Sequence, residues 1–541
     1  MLRARWIVLS VMALLLIAYG SFTWVNAIMD SLFAYRSPLA AAPPAPGAPL
    51  GQPLTARVVL VIVDGLREDT ARKPDVMPFL DQLRRQGAWA VMHSQPPSFS
   101  QPAWTTIATG AWPEINDAAP INVDTDKIWP WTQDHIFAAA KRAGLNTAVS
   151  GYDWWEKYIP PAQRDAGFFT PGEDDAADRD VVNAAMPWLT GGGYPFVLIH
   201  LDQVDYAGHH EGGVRDPRWN AAAGRVDAQI KQIAGALDWS RDTLIVISDH
   251  GHIDRGGHGG QDPIVLVEPF VMVGAGVKPG QYPDIQQVDI APTMAALLGT
   301  NIPASSEGWP LVNMLRNPSP QINAAMNMQQ SLLAAAYEKA IGVSSPSTPP
   351  GATAKMHMAF ARGMREAQEM PLRVAIALVV ALIGVGILIW KRSRDVAMLF
   401  LAAVLYILVY NLIFAVITGN VYSLSTVPAS GATGLIIEIA EFTLVAVILA
   451  WLAAMLISSA FRRGALHAAQ ATYGFAFITI YLLSLPALVS LAVSGAVTTW
   501  RLPDSLLIFL HFTNLVQAML VAVLGIVLSG VAALIGWRMK A

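Results

Sequence analysis

The chain has 541 residues, with 36 Lys or Arg and 40 Asp or Glu, so its formal net charge is −4. This balance argues against a nucleic-acid polymer as partner, because binding a phosphate backbone needs excess basic charge. Hydrophobic residues make up 53% and charged residues 14%, against about 45–50% and about 25% in soluble domains, which excludes a purely cytosolic globule. The chain has no cysteine, which excludes disulfides, thiolate metal sites and a cysteine nucleophile.

The first predicted element is an N-terminal signal anchor, residues 1–30. Its apolar run Trp6–Met29 carries no charge and is long enough to cross the roughly 30 Å hydrocarbon core. A cleaved signal peptide is the alternative, but the run is longer than a usual signal sequence and shows no clear cleavage site. Residues 31–53 are expected to be a linker without packed elements, because Ala40–Pro53 is rich in proline, alanine and glycine.

Residues 54–315 are expected to form an α/β domain. Short β-branched runs alternate with amphipathic stretches, which predicts a mostly parallel sheet with helices on both faces. The predicted strands include Val58–Val63, Phe196–His200, Leu244–Ile247 and Phe270–Val273, and the predicted helices include Met77–Gln86 and Ala221–Leu237. Three strands run into acidic residues, namely Asp64, Asp202 with Asp205, and Asp249. Ligands of open α/β sheets bind at the carboxyl ends of strands, so these carboxylates should converge on one rim.

Histidines accompany these carboxylates. Six of the eleven histidines lie between His200 and His258, and the group includes His209 and His250. Each Asp alone fits an ordinary turn, since Asp-Gly after a strand is a turn signal. The combination of carboxylates and imidazoles without sulfur indicates a metal site, with zinc as the first choice and manganese as the second.

A candidate nucleophile, Ser100, lies in the proline-punctuated loop Gln95–Trp104 (QPPSFSQPAW). A helix is expected to begin after Pro102, so Ser100 would lie near amide groups that attract an anionic ligand. A metal ion can stabilise the alkoxide of such a serine. The alternative for Ser100 is a helix N-cap.

Taken in order, these motifs resemble the alkaline phosphatase superfamily. Within it they resemble the type I phosphodiesterase/nucleotide pyrophosphatase branch, which includes the GPI ethanolamine phosphate transferases. The motifs are VDG with Asp64, PSFSQP with Ser100, DYAGHHEG with Asp205 and His209, SDHGH with Asp249 and His250, and GGHGG with His258. The resemblance covers roughly Arg57–Leu311 and implies an alkaline phosphatase-like fold.

The resemblance also implies a two-metal site for a phosphodiester substrate. It assigns one ion, Zn²⁺ or alternatively Mn²⁺, to Asp64, Ser100, Asp249 and His250, and a second ion to Asp205, His209 and His258. Ser100 would attack phosphorus and form a phosphoseryl enzyme, and water or an acceptor alcohol would then release the group. Hydrolysis and transfer both stay open.

Some motif residues of this chain differ from the family pattern, and these differences bear on the expected substrate and chemistry. Nucleotide-cleaving members commonly have a threonine nucleophile and an asparagine where this chain has Ala103. They also have an asparagine about twenty residues further on that holds phosphoryl oxygens, and Asn122 matches it after a small shift in alignment. A sulfatase is disfavoured, because Ser100–Trp104 lacks the arginine of the sulfatase motif.

Five further apolar runs predict a transmembrane domain, residues 371–541, and six spans in all. The candidate spans are Leu372–Trp390, Val396–Thr418, Thr433–Ala460, Thr472–Val497 and Leu506–Trp537. Basic clusters lie at alternate ends of successive spans, at Arg3/Arg5, Lys391–Arg394, Arg462/Arg463 and Arg538/Lys540. By the positive-inside rule these clusters are cytoplasmic, which predicts a periplasmic or extracellular α/β domain.

Residues 316–370 are expected to form a helical stalk. Its helical stretches are Gln321–Lys339 and Lys355–Glu369, on either side of the loop Val343–Ala352. The loop is rich in serine and proline, which does not favour regular structure.

Polar side chains lie inside two of the predicted spans. Glu438 and Glu441 belong to one, and His511, Asn514 and Gln517 to the other. Spacings of three place each set on one helix face, and the predicted topology places both in the outer half of the bilayer. One interpretation is a pocket for a lipid head group or a lipid-linked acceptor, and the other is interhelical hydrogen bonding, for example from Glu441 to His511.

The sequence therefore predicts a membrane-bound phosphodiesterase or phosphotransferase that acts at the outer face on a lipid or lipid-linked phosphodiester, such as an ethanolamine phosphate donor. One alternative is a tethered nucleotide pyrophosphatase that acts on soluble substrates. Others are a catalytically idle ectodomain on a membrane scaffold and a transport bundle with a regulatory ectodomain. The chain retains the complete set of candidate metal ligands, which argues against a catalytically idle domain. The predicted spans show no internal repeat of the kind found in transporters, which argues against a transport bundle. Donor, acceptor and oligomeric state stay open.

Overall fold

The structure is a computed structural model that describes residues 2–343, 353–391, 393–428 and 430–539. Apart from Val343, the predicted loop Val343–Ala352 lies outside the described residues. The chain divides into two compact units. The catalytic unit, as we call it below, comprises Phe33–Glu366 with Trp500–Leu502, and the membrane unit comprises Met1–Leu32, Ala367–Thr499 and Pro503–Ala541.

The catalytic unit contains a nine-stranded sheet. Its strands are β1 Arg57–Val63, β2 Ala88–His93, β3 Thr147–Tyr152, β4 Ala166–Thr170, β5 Phe196–Leu201, β6 Asp242–Ile247, β7 Val267–Gly274, β8 Gly280–Gln281 and β9 Ile285–Gln286. Their order is β4-β3-β5-β1-β6-β7-β2-β8, with β9 paired to β2. Only β7 runs antiparallel to its neighbours β6 and β2. The predicted mostly parallel sheet is confirmed.

Seventeen α-helices complete the described chain. They are α1 Leu2–Phe33, α2 Glu68–Ala71, α3 Pro78–Gln86, α4 Ser100–Thr109, α5 Pro113–Asn116, α6 Ile136–Arg142, α7 Trp154–Tyr158, α8 Asp175–Gly191, α9 Gln203–His210, α10 Pro217–Ala234, α11 Ile290–Leu298, α12 Ile322–Ala340, α13 Ala354–Trp390, α14 Arg394–Asn411, α15 Gly431–Ile457, α16 Ala465–Ser494 and α17 Ser505–Arg538. A π-helical turn, Leu412–Ile417, follows α14.

The central strand β1 is buried on both faces. Val58, Leu60 and Ile62 pack into a core with residues of α4, α6 and α11. The alternating residues Val59 and Val61 pack into a second core with residues of α3, α8 and α10. Because successive side chains of a strand point to opposite faces, a strand covered on both sides is apolar throughout. This explains the unbroken run at Val58–Val63 and confirms helices on both faces of the sheet.

The segment before β1 has no helix or strand, yet parts of it pack against the catalytic unit. The Ser37 amide donates to Asp117 Oδ1 over 2.7 Å, and the Leu50 amide donates to the Thr300 carbonyl over 3.1 Å. Leu39 and Leu50 are buried. The linker thus lacks regular structure, but hydrogen bonds and two apolar side chains hold it in place.

Six of the described helices are long and apolar enough to cross a membrane, judged by length and composition. They are α1 and the five helices α13 to α17, with the π-helical turn extending α14. The number of candidate spans equals the number predicted, and their length and apolar composition indicate a membrane protein. The stretch Lys355–Glu369 and the first predicted C-terminal span share the single helix α13, with Pro371 inside it.

The N-terminal helix α1 packs within the membrane unit. Leu14 is fully buried there, and Trp24 Nε1 donates to the Ala496 carbonyl over 2.7 Å. The Thr498 amide donates to Ser31 Oγ over 3.0 Å. Helix α1 is therefore packed into the helical bundle of the membrane unit and is more than a tether.

Candidate metal centre and nucleophile

The three aspartates predicted as metal ligands meet at one edge of the sheet. Asp64 directly follows β1, Asp249 lies two residues beyond β6, and Asp205 lies on α9, which follows β5. Strand β1 lies between β5 and β6 and is parallel to both. Their carboxyl ends therefore share an edge, and the strand order brings the three carboxylates together.

The first predicted ligand set surrounds one nitrogen atom, His250 Nε2. This atom lies 3.3 Å from Asp64 Oδ1 and 3.5 Å from Asp249 Oδ2. Ser100 Oγ lies 3.2 Å from the same nitrogen. Asp64, Asp249 and His250 each offer a ligand atom within 4.8 Å of the others. The structure thus brings all four residues of this set together.

The second predicted set, Asp205, His209 and His258, lies beside the first. His209 Nε2 is 3.5 Å from Asp205 Oδ2 one turn earlier on α9. His258 Nε2 lies 2.9 Å from His209 Nε2 and 3.6 Å from Asp205 Oδ1. The rings of His250 and His258 stack with their centroids 3.8 Å apart, so the two sets adjoin.

Neighbouring groups fix the orientation of Asp249. Its Oδ1 accepts a hydrogen bond from the Gly65 amide over 3.1 Å, and its Oδ2 accepts one from Trp104 Nε1 over 2.8 Å. Gly65 has a φ of +70°, and a Cβ at this position would lie 2.8 Å from His252 Nε2. The glycine of the VDG motif therefore serves the turn and also leaves room for the site.

The loop that carries His258 also contacts the segment that precedes Ser100. His258 Nδ1 lies 3.1 Å from the Ser98 carbonyl, and the Gly259 amide donates to Ser98 Oγ over 3.1 Å. Gly259 has a φ of +106°, and a Cβ there would lie 2.2 Å from the Phe99 ring. This contact is next to Ser100, so the glycines of GGHGG allow the close approach of the two loops.

The helix that contains Ser100 begins earlier than predicted. Helix α4 starts at Ser100 and not after Pro102, and its N-cap is Phe99. Pro102 is compatible with this start, because amide groups in the first turn have no partner within the helix. The N-cap interpretation of Ser100 is therefore wrong. Asn122 Oδ1 accepts a hydrogen bond from the Gln101 amide over 3.0 Å, which holds Asn122 near Ser100.

Two buried histidines of the site had no role in the sequence prediction. His252 Nε2 lies 2.6 Å from Asp205 Oδ1, and its Nδ1 accepts a hydrogen bond from the Gly257 amide. His200 Nε2 lies 2.9 Å from Asp64 Oδ2. Both residues were visible as members of the histidine cluster, and His252 belongs to the SDHGH motif itself. Only their positions in space show that they contact the predicted ligands.

The carboxylates of the site have opposite pKa shifts. Burial raises the pKa of Asp64 well above its ordinary value, and the charges of Asp249 and Asp205 raise it further. Burial also raises the pKa of Asp205, but the surrounding imidazoles outweigh that effect and hold its pKa well below the ordinary value. Burial lowers the pKa of His252 to about 4. Crowded carboxylates beside neutral imidazoles favour a bound cation.

The donor set fits a metal ion. Asp64 Oδ1 is buried and has no hydrogen-bond partner among the residues that the structure describes. Asp205, His250, His252 and His258 also offer ligand atoms within 4.8 Å of one another. Carboxylate oxygen and imidazole nitrogen are common ligands of zinc and manganese. The structure therefore has a cluster of Asp and His residues that is suited to metal binding.

The polar residues Glu438 and Glu441 of helix α15 belong to the membrane unit. Glu438 is half-buried, and its Oε2 accepts a hydrogen bond from Asn420 Nδ2 over 3.3 Å. Glu441 is exposed on the surface of the bundle. Despite their spacing of three residues, the two carboxylates differ in environment.

The three polar residues of α17 have different partners from one another. His511 Nδ1 lies 3.1 Å from Ser490 Oγ, so this histidine contacts α16 and not Glu441. Gln517 Oε1 accepts a hydrogen bond from Tyr406 OH over 2.8 Å. Asn514 Nδ2 donates to the carbonyl of Leu510 in its own helix. Interhelical hydrogen bonding is thus present, although not through the pair suggested by the sequence.

Comparisons with known proteins agree with the motifs. Residues 58–261 match the family model of type I phosphodiesterase/nucleotide pyrophosphatase. The chain is 28% identical over 283 residues to the catalytic subunit of GPI ethanolamine phosphate transferase 3 of Mus musculus, a match that covers 47% of this chain and 25% of the relative. It is 28% identical over 347 residues to GPI ethanolamine phosphate transferase 1 of Mus musculus, covering 55% of this chain and 36% of the relative.

A solved structure of human ectonucleotide pyrophosphatase/phosphodiesterase 5 matches with a TM-score of 0.38 and 15% identity, and the match covers 45% of this chain and 95% of that chain. The matched region spans about a quarter to a third of the length of the curated relatives. The family model and these relatives confirm the resemblance to the type I phosphodiesterase/nucleotide pyrophosphatase branch of the alkaline phosphatase superfamily.

Proposed function

We propose that the protein is a membrane-bound, metal-dependent phosphotransferase that moves a phosphoethanolamine-type group from a lipid or lipid-linked phosphodiester. The observation that carries this proposal is the position of Ser100 Oγ, 3.2 Å from His250 Nε2 in a cluster of carboxylates and imidazoles. The relatives named as ethanolamine phosphate transferases support the transferred group. A phosphodiesterase that passes the same group to water is the nearest alternative.

Ser100 is the proposed nucleophile. Its Oγ forms a bond to phosphorus while the bond from phosphorus to the leaving alcohol breaks, and the serine proton leaves with that alcohol. In the second step an acceptor alcohol, or water, takes the group and Ser100 recovers a proton. Asn122, which the Gln101 amide holds near Ser100, is the proposed partner of a phosphoryl oxygen.

We assign two Zn²⁺ ions to the centre, with Mn²⁺ as the alternative. The proposed ligands are Asp64, Ser100, Asp249 and His250 for one ion, and Asp205, His209 and His258 for the other. Two such ions neutralise charge on the attacking and leaving oxygens of a displacement at phosphorus. The partly buried position of the cluster strengthens these electrostatic effects, because the local dielectric is lower than that of water.

The proposed location of the reaction is the outer face of a membrane. The basic clusters at alternate span ends support this orientation, since short cytoplasmic connections carry excess Lys and Arg. A membrane lipid is accordingly the proposed partner of the membrane unit. Glu438, Glu441, His511, Asn514 and Gln517 are the proposed polar lining of a lipid pocket.

The proposed function is tested on detergent-purified protein with zinc. Separate assays would contain a chromogenic phosphodiester, a phosphomonoester, a sulfate ester and labelled phosphatidylethanolamine, each with and without chelator. We expect chelator-sensitive cleavage of the diester, with labelled ethanolamine phosphate appearing on an acceptor. Label released into water would identify a hydrolase, and preferred cleavage of soluble nucleotide diesters would favour the tethered pyrophosphatase. Purified protein that binds no metal would contradict the proposal.

The lipid pocket yields a separate prediction. Glu438→Gln removes a charge but keeps the shape of the side chain, so turnover of the lipid substrate is expected to fall about tenfold relative to turnover of a soluble diester. His467→Gln, at an exposed position elsewhere in the membrane unit, serves as the control. Kinetics with both substrates in mixed micelles measure the ratio. Equal losses with both substrates, or no loss with either, would rule out the pocket.

A further inference from the structure

We infer that the sheet edge beside the metal centre carries a subsite for a primary ammonium group, formed by Asp202, Glu173 and Tyr152. The inference rests on the proposed function and specifies which part of the donor this edge recognises. The recognised group is a cationic amine a short distance from the reacting phosphate. We refer to these three residues as the ammonium subsite.

The order of the strands places the ammonium subsite next to the metal centre. Strands β4, β3, β5 and β1 are consecutive and parallel, so their carboxyl ends lie along one edge. Tyr152 is the last residue of β3 and pairs with Thr170, the last residue of β4. Glu173 follows β4, and Asp202 directly follows β5. Asp202, Tyr152 and Glu173 therefore lie along the same sheet edge as Asp64, which follows β1.

Asp202 is the buried acid of the subsite. It is only 8% exposed, so its carboxylate is largely removed from water. Asp64, Asp202 and Asp205 each offer an oxygen within 4.8 Å of the others, so the Asp202 carboxylate is directed towards the centre. A carboxylate that is largely removed from water beside other acids is costly to ionise, and a bound cation offsets that cost.

The electrostatic surroundings of Asp202 are acidic. After burial, the largest effects on its pKa come from the charges of Asp205 and Glu173, and both raise it. The same charges reach the third member of the subsite, because burial and the charges of Glu173 and Asp202 raise the pKa of Tyr152. A positive charge bound between Asp202 and Glu173 would reduce this repulsion.

Aromatic groups give the subsite the properties of an ammonium site. Tyr152 OH donates to Glu173 Oε1 over 2.9 Å, which fixes both side chains. The rings of Tyr152 and Trp154 meet edge to face with their centroids 5.0 Å apart. Both rings and Glu173 are partly exposed, so a ligand can reach them. Carboxylates that accept N–H bonds beside an aromatic face suit an ammonium ion.

The test compares two chromogenic diesters that differ only in the amine, para-nitrophenyl aminoethyl phosphate and para-nitrophenyl propyl phosphate. The full-length zinc-loaded protein is expected to prefer the aminoethyl diester in kcat/KM by about tenfold or more. Glu173→Gln and Asp202→Asn are expected to reduce that preference about tenfold, mainly through KM. Asp180→Asn, which removes an exposed acid from helix α8, should keep the preference of the wild-type protein.

A measurement of zinc content distinguishes the ammonium subsite from a third metal site at Asp202. Asp202→Asn is expected to bind as much zinc as the wild-type protein, and a lower zinc content would overturn the assignment in favour of metal ligation by Asp202. A wild-type protein that cleaves both diesters equally, with no change in the variants, would also overturn the subsite while leaving the proposed function intact. A protein that cleaves neither diester would instead count against the proposed function.

Discussion

A Ser100→Ala protein is expected to lose turnover of a chromogenic phosphodiester by about a thousandfold or more, because the covalent route then has no nucleophile. The same variant should fail to form a phosphoseryl adduct, which mass spectrometry of an acid-quenched reaction detects on the peptide that contains Ser100. Ser100→Thr should retain part of the activity, since threonine supplies a hydroxyl from the same backbone position. Normal turnover by Ser100→Ala would refute the assignment.

The structure provides a matched control for this substitution. Ser240 is exposed in the turn before β6, at the opposite end of that strand from Asp249. Ser240→Ala should therefore leave turnover, adduct formation and zinc content at wild-type values. If Ser240→Ala and Ser100→Ala reduced turnover equally, the loss in Ser100→Ala would reflect damage to the preparation and not a missing nucleophile.

A His258→Ala protein is expected to bind about one zinc ion per chain where the wild-type protein binds about two, and to lose turnover about a thousandfold. His258 lies close to both Asp205 and His209, so its removal takes one of three proposed ligands from the second set. Elemental analysis after dialysis measures the zinc content, and the diester assay measures turnover. Two tightly bound ions in His258→Ala would contradict the second set.

His210→Ala is the matched control for this second prediction. His210 is adjacent to His209 on helix α9, but its side chain is exposed. Its removal should change neither zinc content nor turnover. A loss of zinc in His210→Ala would instead assign a ligand that the sequence and the geometry do not include.

The elements that depend on local pattern were predictable. The strands β1, β5, β6 and β7 were visible as short β-branched runs, and the six spans as long apolar ones. Strands β3 and β4 were missed because their sequences contain glycine and few β-branched residues. The start of α4 was placed three residues late because Pro102 resembled a helix start, although the first turn also accepts a proline.

Part of the site was likewise predictable from the sequence, and part was not. The motifs identified seven candidate ligands as an ordered set, and the structure brings those residues to one edge of the sheet. His252 and His200 could not be assigned from the motifs, since their roles depend on approach to Asp205 and Asp64 across long stretches of chain. Asp202 was visible beside Asp205, but its burial and its approach to Asp64 are properties of the folded chain.

By itself the sequence determined the strands β1, β5, β6 and β7, the motif residues and the six apolar runs, because hydrophobic periodicity, run length and motif spacing are local properties of a chain. The tertiary structure alone decided which strand ends are neighbours. The order β4-β3-β5-β1-β6 places Glu173, Tyr152 and Asp202 along the same sheet edge as Asp64. Such neighbours follow from the packing of helices on both faces of the sheet, a balance of many long-range contacts that no short segment encodes.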